Sequence, residues 1–193
     1  MGSDGGEGEK STRERILDIA LDLFIDQGYD KTSLREIADR LGYSKAAVYY
    51  HFASKADILL ALHYRLHDMF GGSLDDLNQQ VDDPVAWAKV LDTFIGQMLA
   101  DRRLFILHER NRAAFEKLHR DAKHEDQHSD LEGTFRTLLA NPEVPVADRV
   151  RLACALGAIM GTLAIAGEAF ASVPTEDLTD MIRSAVGDLL TPR

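Results

Sequence analysis

Residues 33–52, SLREIADRLGYSKAAVYYHF, constrain the chain more than any other stretch. Leu34, Ile37, Ala38 and Leu41 recur at the spacing of one helical face. Ser33 and Glu36 stand three apart, as a capping box requires, so the spacing predicts a helix starting behind Ser33. Gly42 follows Leu41, where a helix can end only if a residue accepts the left-handed conformation. Ser44 then caps a second helix whose Val48 and Phe52 face inward. Two helices, a glycine turn and small Ala38 at the contact predict a helix-turn-helix.

The outward face of the second helix carries Ser44, Lys45, Tyr49, Tyr50 and His51. Hydroxyls, an amine, phenols and an imidazole suit phosphate oxygens and base edges. No acidic residue occurs from Ser44 to Lys55, in a chain of formal net charge -10. The charges are segregated. Residues 10–55 hold eight Lys/Arg against seven Asp/Glu, whereas residues 56–193 hold 14 against 22. A near-neutral head with an acid-free window on an acidic body points to a polyanion read by specific contacts.

Residues 11–62 resemble the DNA-binding head of the TetR (tetracycline-repressor-like) family. The likeness rests on RILDIALDLFIDQGYDKTSLREIA, the turn LGYSKAAVYYHF and the following SKADILLAL. It implies an all-α homodimer that binds a pseudo-palindromic operator, most often as a repressor released by a small effector in the body. It also implies that Lys45 and Ala46 lie nearest base edges, while Thr32, Tyr49, Tyr50, His51 and Lys55 anchor phosphates. Ser33, Tyr43 and Ser44 complete the expected DNA-contacting set. The expected organisation is a disordered acidic tail over 1–10, a head over 11–55, and a regulatory and dimerisation body over 56–193.

Around that stretch, Ser11 and Glu14 form a capping box for a first helix ending near Gln27 and Gly28, with Ile16, Ala20, Leu23 and Phe24 buried. Asp18, Asp22 and Asp26 lie four apart on another face, expected to be solvated and turned from phosphates. Ser54 and Asp57 open the connecting helix, where Lys55 beside a helix N-terminus would clamp phosphate. Gly71-Gly72 is expected to interrupt that helix. Asp82-Asp83-Pro84 starts another.

In the body, Trp87, Phe94, Met98, Phe105 and Phe115 are bulky residues on successive helices. Individually they read as core. As a set, with the family resemblance, they read as the surroundings of a small apolar effector. Residues 152–167 are uncharged but too short to span a bilayer, and Ala153, Gly157, Gly161 and Ala164 permit close helix approach. Thr175 is expected to cap the last helix, in which Leu178, Met181, Ile182, Ala185, Val186 and Leu189 are apolar. By family resemblance, the last two helices pair with those of a partner. Cys154 alone excludes an internal disulfide, fits the cytoplasm and reads as buried.

His124-Glu125-Asp126-Gln127-His128 spells HExxH, yet its setting is wholly polar and lacks a third ligand at the usual spacing. The alternatives are a metal sensor or hydrolase using His124 and His128, with His108 or His119 as further ligands, and a regulator with no effector. His63 and His67, also four apart, read as solvated. No glycine-rich phosphate loop, nucleophile elbow or CxxC is present, so no enzyme, cofactor or metal is expected.

Overall fold

The computed structural model describes residues 10–79, 84–122, 131–164, 169–170 and 172–191. Ten α-helices and no strand occur among them: α1 Thr12–Asp26, α2 Leu34–Leu41, α3 Lys45–His51, α4 Lys55–Gln79, α5 Pro84–Ala100, α6 Arg102–Arg110, α7 Arg112–Ala122, α8 Leu131–Ala140, α9 Val146–Ala164 and α10 Thr175–Leu190.

Local chemistry sets the head's helix ends. Ser11 Oγ accepts the Glu14 amide at 3.2 Å, while the Glu14 carboxylate accepts the Ser11 amide at 2.8 Å. Ser33 and Glu36 repeat the arrangement at 3.2 and 2.7 Å. Each box satisfies two of the backbone donors a helix start leaves open. Between α2 and α3, Gly42 sits at φ +70°. Its amide reaches Asp39 O at 3.2 Å and the Tyr43 amide reaches Ala38 O at 2.9 Å. That pair of bonds is a Schellman ending, which favours glycine at the left-handed residue. α2 packs on both α1 and α3, with Ile37, Ala38, Val48 and Phe52 buried between them.

α4 runs on through Gly71-Gly72 as one helix of 25 residues, so the expected interruption does not occur. Two glycines cost helix propensity, about 1 kcal/mol each relative to alanine, and α5, α6, α7 and α8 all pack on α4. Tertiary contact overrides the local preference. Pro84 is the first residue of α5, as the sequence predicts. Thr175 is the first helical residue of α10 rather than its cap; Pro174 occupies the cap position. α9 and α10 pack on each other, and α10 also packs on α5. No helix among the described residues is long and apolar enough to cross a membrane.

The aspartate stripe of α1 is not simply solvated. Asp18 Oδ1 takes Arg65 Nη1 of α4 at 2.7 Å, and Asp18 Oδ2 takes Lys10 at 2.7 Å. Arg65 reaches on to Asp101 at 3.4 Å, and Arg103 of α6 bridges Asp101 to Asp22. Asp26 alone of the three remains exposed. The stripe faces the body because α6 and α4 bring arginines to it. Burial alone would raise the Asp18 carboxyl, but hydrogen bonds from Lys10 and Arg65 reverse this and hold it below the usual carboxylate range.

A depressed carboxyl stabilises the fold above its unfolded value, near 3.9, and that stabilisation disappears as pH falls through the lower folded value. Asp18→Asn is therefore expected to cost roughly 1–2 kcal/mol near neutrality, between typical exposed and buried pairs. Urea unfolding of both proteins over a pH series checks this. The gap between them should close on acidification below about pH 4.

Candidate nucleic-acid interface

α3 is short and held at both ends. Ser44 Oγ accepts the Ala47 amide at 3.2 Å, and the Phe52 amide returns to Val48 O at 3.0 Å. Val48 is fully buried, which turns the opposite side of α3 outward. Ser44, Lys45, Ala46, Tyr49 and Tyr50 are all exposed on it, Tyr50 by 87%. Lys45 Nζ stands 5.2 Å from the Tyr49 ring centre, and the half-buried His51 meets the Tyr50 ring edge-on at 5.2 Å. An exposed phenol braced by a ring, next to an ammonium braced by another, is a surface ready for phosphate oxygens and base edges.

The rest of the expected set divides. Ser33 is exposed, but its hydroxyl and amide hold Glu36 and draw that carboxyl below the usual range. Tyr43 is half-buried, with the Arg15 guanidinium 5.3 Å above its ring. Thr32 departs from expectation. Its side chain is 3% exposed, and its hydroxyl donates to Gly28 O at 2.9 Å. It secures the α1–α2 connection from within.

Lys55 also turns inward. Its ammonium donates to Tyr29 O and to Asp30 O, and lies 4.2 Å from the Tyr29 ring centre. The first turn of α4 holds its own anion as well: Asp57 accepts the Ser54 amide at 2.8 Å, and Ser54 Oγ accepts the Asp57 amide at 3.1 Å. Both the Lys55 ammonium and the first turn of α4 thus have partners within the chain. Arg13 and Arg15, which sequence reasoning passed over, lie near the interface, Arg13 with its guanidinium 5.0 Å from the Phe52 ring centre. Their signal was available: cations in the first turns of a helix oppose its dipole and call for another partner.

The profile of the bacterial regulatory proteins of the tetR family matches residues 16–62, the span just described. Residues 16–62 thus carry a TetR-type DNA-binding head. This head is 49% identical over 49 residues to the HTH-type transcriptional regulator AcrR of Shigella flexneri, covering 25% of this chain and 23% of that protein. It is 43% identical over 53 residues to the transcriptional activator FasR of Mycolicibacterium smegmatis, covering 28% and 24%. A 46-residue match at 46% links it to the negative regulator IcaR of Staphylococcus aureus, covering 24% and 25%. These alignments span only about a quarter of the relatives' lengths. Over the whole fold, Mycobacterium smegmatis AmtR superposes with a TM-score of 0.68 at 26% identity, covering 98% of this chain and 91% of AmtR. A TetR-like regulator from Rhodococcus sp. RHA1 shares the fold at a TM-score of 0.59 and 22% identity, covering 96% and 99%.

In the body, Trp87, Phe94, Met98, Phe105 and Phe115 are all buried. They do not form one uniform surface. Phe94 packs with Phe70 and Phe135, at ring-centre distances of 4.7 and 5.7 Å. Phe115 instead stacks against His63 and His108, at 4.7 and 5.1 Å. Trp87 Nε1 is buried without a hydrogen-bond partner among the described residues. His63 is buried and His67 half-buried, contrary to the solvated reading. Burial lowers the His108 imidazole below its ordinary value, only partly offset by Glu109, which keeps the ring neutral near pH 7. The segment His124–His128 lies outside the described residues.

These placements separate two neighbouring residues by role. Tyr50→Ala should leave unfolding free energy within about 0.5 kcal/mol of the parent, as a surface change does. Lys55→Ala should destabilise by roughly 1–3 kcal/mol, because charged hydrogen bonds to two carbonyls are lost. Chemical denaturation of the two variants side by side tests the division.

Proposed function

We propose that the chain is a sequence-specific DNA-binding transcriptional regulator, a homodimeric repressor released from a pseudo-palindromic operator by a small effector. The observation that carries the reading is the position of its exposed large apolar side chains. Among the described residues these are Tyr49 and Tyr50 on α3, Val146 and Val150 on α9, Met181 and Leu189 on α10, and Phe170. One group has the chemistry of a DNA-reading helix, and the α9–α10 group that of an uncovered subunit contact.

On α9 the exposed residues Val146, Val150, Ala153, Cys154 and Gly157 recur on one face, opposite buried Leu152, Ala155, Leu156 and Ile159. Cys154 is therefore exposed within the chain, because the buried face is filled by its larger neighbours. Among the described residues, nothing outside α9's own adjoining backbone lies within 4 Å of where a Cβ on Gly157 would stand. A partner's helix is the fitting occupant of that space. On α10, Met181, Ala185 and Leu189 are exposed while Leu178, Ile182 and Val186 are buried. Paired α9–α10 surfaces would set two α3 helices into successive major-groove faces, about 34 Å or a multiple apart.

Within each head, Lys45 and Ala46 meet base edges, and Ser44, Tyr49, Tyr50 and His51 hold phosphates. Tyr43 and Ser33 flank them, while Thr32 and Lys55 hold the frame. The effector would lie in the body among Trp87, Phe94, Met98, Phe105 and Phe115, with the Trp87 indole N–H as a polar handle for a mostly apolar molecule. A coupling of about 1–3 kcal/mol would change operator affinity about 5- to 150-fold. The protein would work where DNA is, in the cytoplasm.

Selection from a random duplex library, followed by titration of the enriched site at two salt concentrations, tests the reading. A pseudo-palindrome with a steep salt dependence is expected, and Lys45→Ala should cost about 1–3 kcal/mol and relax the base preference at the position it contacts. Absence of any enriched site overturns it. For the dimer, Val150→Asp with Met181→Asp should give a monomer by analytical ultracentrifugation, since both changes place charge in the proposed contact.

A further inference from the structure

His63 and His67 stand one turn apart on α4, and α6 brings His108 against them. A nitrogen of each ring lies within 4.8 Å of a nitrogen of the others. The His63 and His67 ring centres are 4.2 Å apart. His63 and His108 stack at 5.2 Å and 14°. Phe115 of α7 lies against both, giving the cluster an apolar wall. Three imidazoles thus meet where His63 is buried and His67 and His108 are half-buried.

The donor set is specific. Imidazole nitrogens favour zinc, cobalt, nickel and copper, whereas magnesium and calcium prefer oxygens. Two histidines at helical i,i+4 spacing plus one from another helix supply three ligands, leaving a fourth position open. Zinc–nitrogen bonds of about 2.0–2.1 Å place tetrahedral ligand nitrogens about 3.4 Å apart. The nitrogens, now within 4.8 Å of one another, therefore need to close by no more than about 1.4 Å. Rotating the stacked rings edge-on supplies a movement of that size. Glu109 Oε1 lies 3.4 Å from His108 Nδ1. A carboxylate there favours the tautomer protonated at Nδ1, leaving Nε2 to carry the lone pair for the ion.

We propose that His63, His67 and His108 hold one divalent transition-metal ion of the zinc, cobalt and nickel group per chain, with Glu109 positioning the His108 ring. The three ligands need no residue of the HExxH stretch. The inference is independent of the DNA reading, because both its geometry and its test concern the ion alone.

The experiment titrates tag-free, chelator-treated full-length protein with Zn(II), and separately with Co(II) followed by visible absorption. Expected are one ion per chain, the visible bands of nitrogen-ligated cobalt, and a melting temperature raised by zinc. His67→Ala and His108→Ala should each abolish stoichiometric binding. Glu109→Gln should weaken it about 10- to 100-fold, the usual effect of losing an outer partner. Both histidines are only half-buried, and His67→Gln and His108→Gln, closer in size, serve as second variants if an alanine variant fails to fold. The paired change His124→Ala and His128→Ala should leave binding intact. No stoichiometric ion on the parent protein, unchanged binding in the His67 and His108 variants, or loss confined to the His124/His128 variant would each overturn the proposal.

Discussion

An unbroken helix is stiff along its axis, and α4 makes the whole chain depend on that property. Its 25 residues extend about 37 Å. Lys55 at its start holds the α1–α2 connection, Arg65 near its middle meets α1, and Phe70 lies in the body's core. α4 thus links the head to the body's core without a break among the described residues. What resists displacement of one against the other is the seam of Asp18, Arg65, Asp101, Arg103 and Asp22. Partly exposed ion pairs are each worth about 1 kcal/mol or less. The seam as a whole thus matches the few kcal/mol in which switching proteins work, strong enough to favour one arrangement and weak enough to exchange it.

Packing runs across this seam as well. The buried apolar side chains form one cluster from Ile16 to Val186, with no gap at residue 55 where the head ends by sequence criteria. Head and body differ in chemistry, but they share a core. Ile58, Leu59 and Leu62, on the first turns of α4, belong to it as fully as Val48 of the head does.

Signals within a few residues were legible in the sequence. Ser11 with Glu14, Ser33 with Glu36, Gly42 and Ser44 each act on backbone groups one turn away, and each does so in the structure. Contacts set by distant segments were not. A periodic aspartate stripe shows that Asp18 and Asp22 share a face, but Arg65 and Arg103, 47 and 81 residues away, determine what that face meets. Lys55 reads as an exposed cation until the Tyr29 and Asp30 carbonyls are found beside it. Cys154 reads as core because its surroundings are apolar, although it is exposed on a face of α9 that no other described residue covers at that point. His63 and His67 show their spacing openly, but His108 joins them only once α6 is folded against α4.

The segregated charge has a kinetic consequence. Charges are largely screened beyond a Debye length, about 8–10 Å in physiological salt, so the acidic body of this chain of net charge -10 would repel a nucleic acid only at close range, where the acid-free α3 is also felt. Salt then acts in opposite directions at two stages: it eases the approach of two polyanions, and it weakens the grip once contact is made. Such a charge arrangement would disfavour any hold on arbitrary sequence.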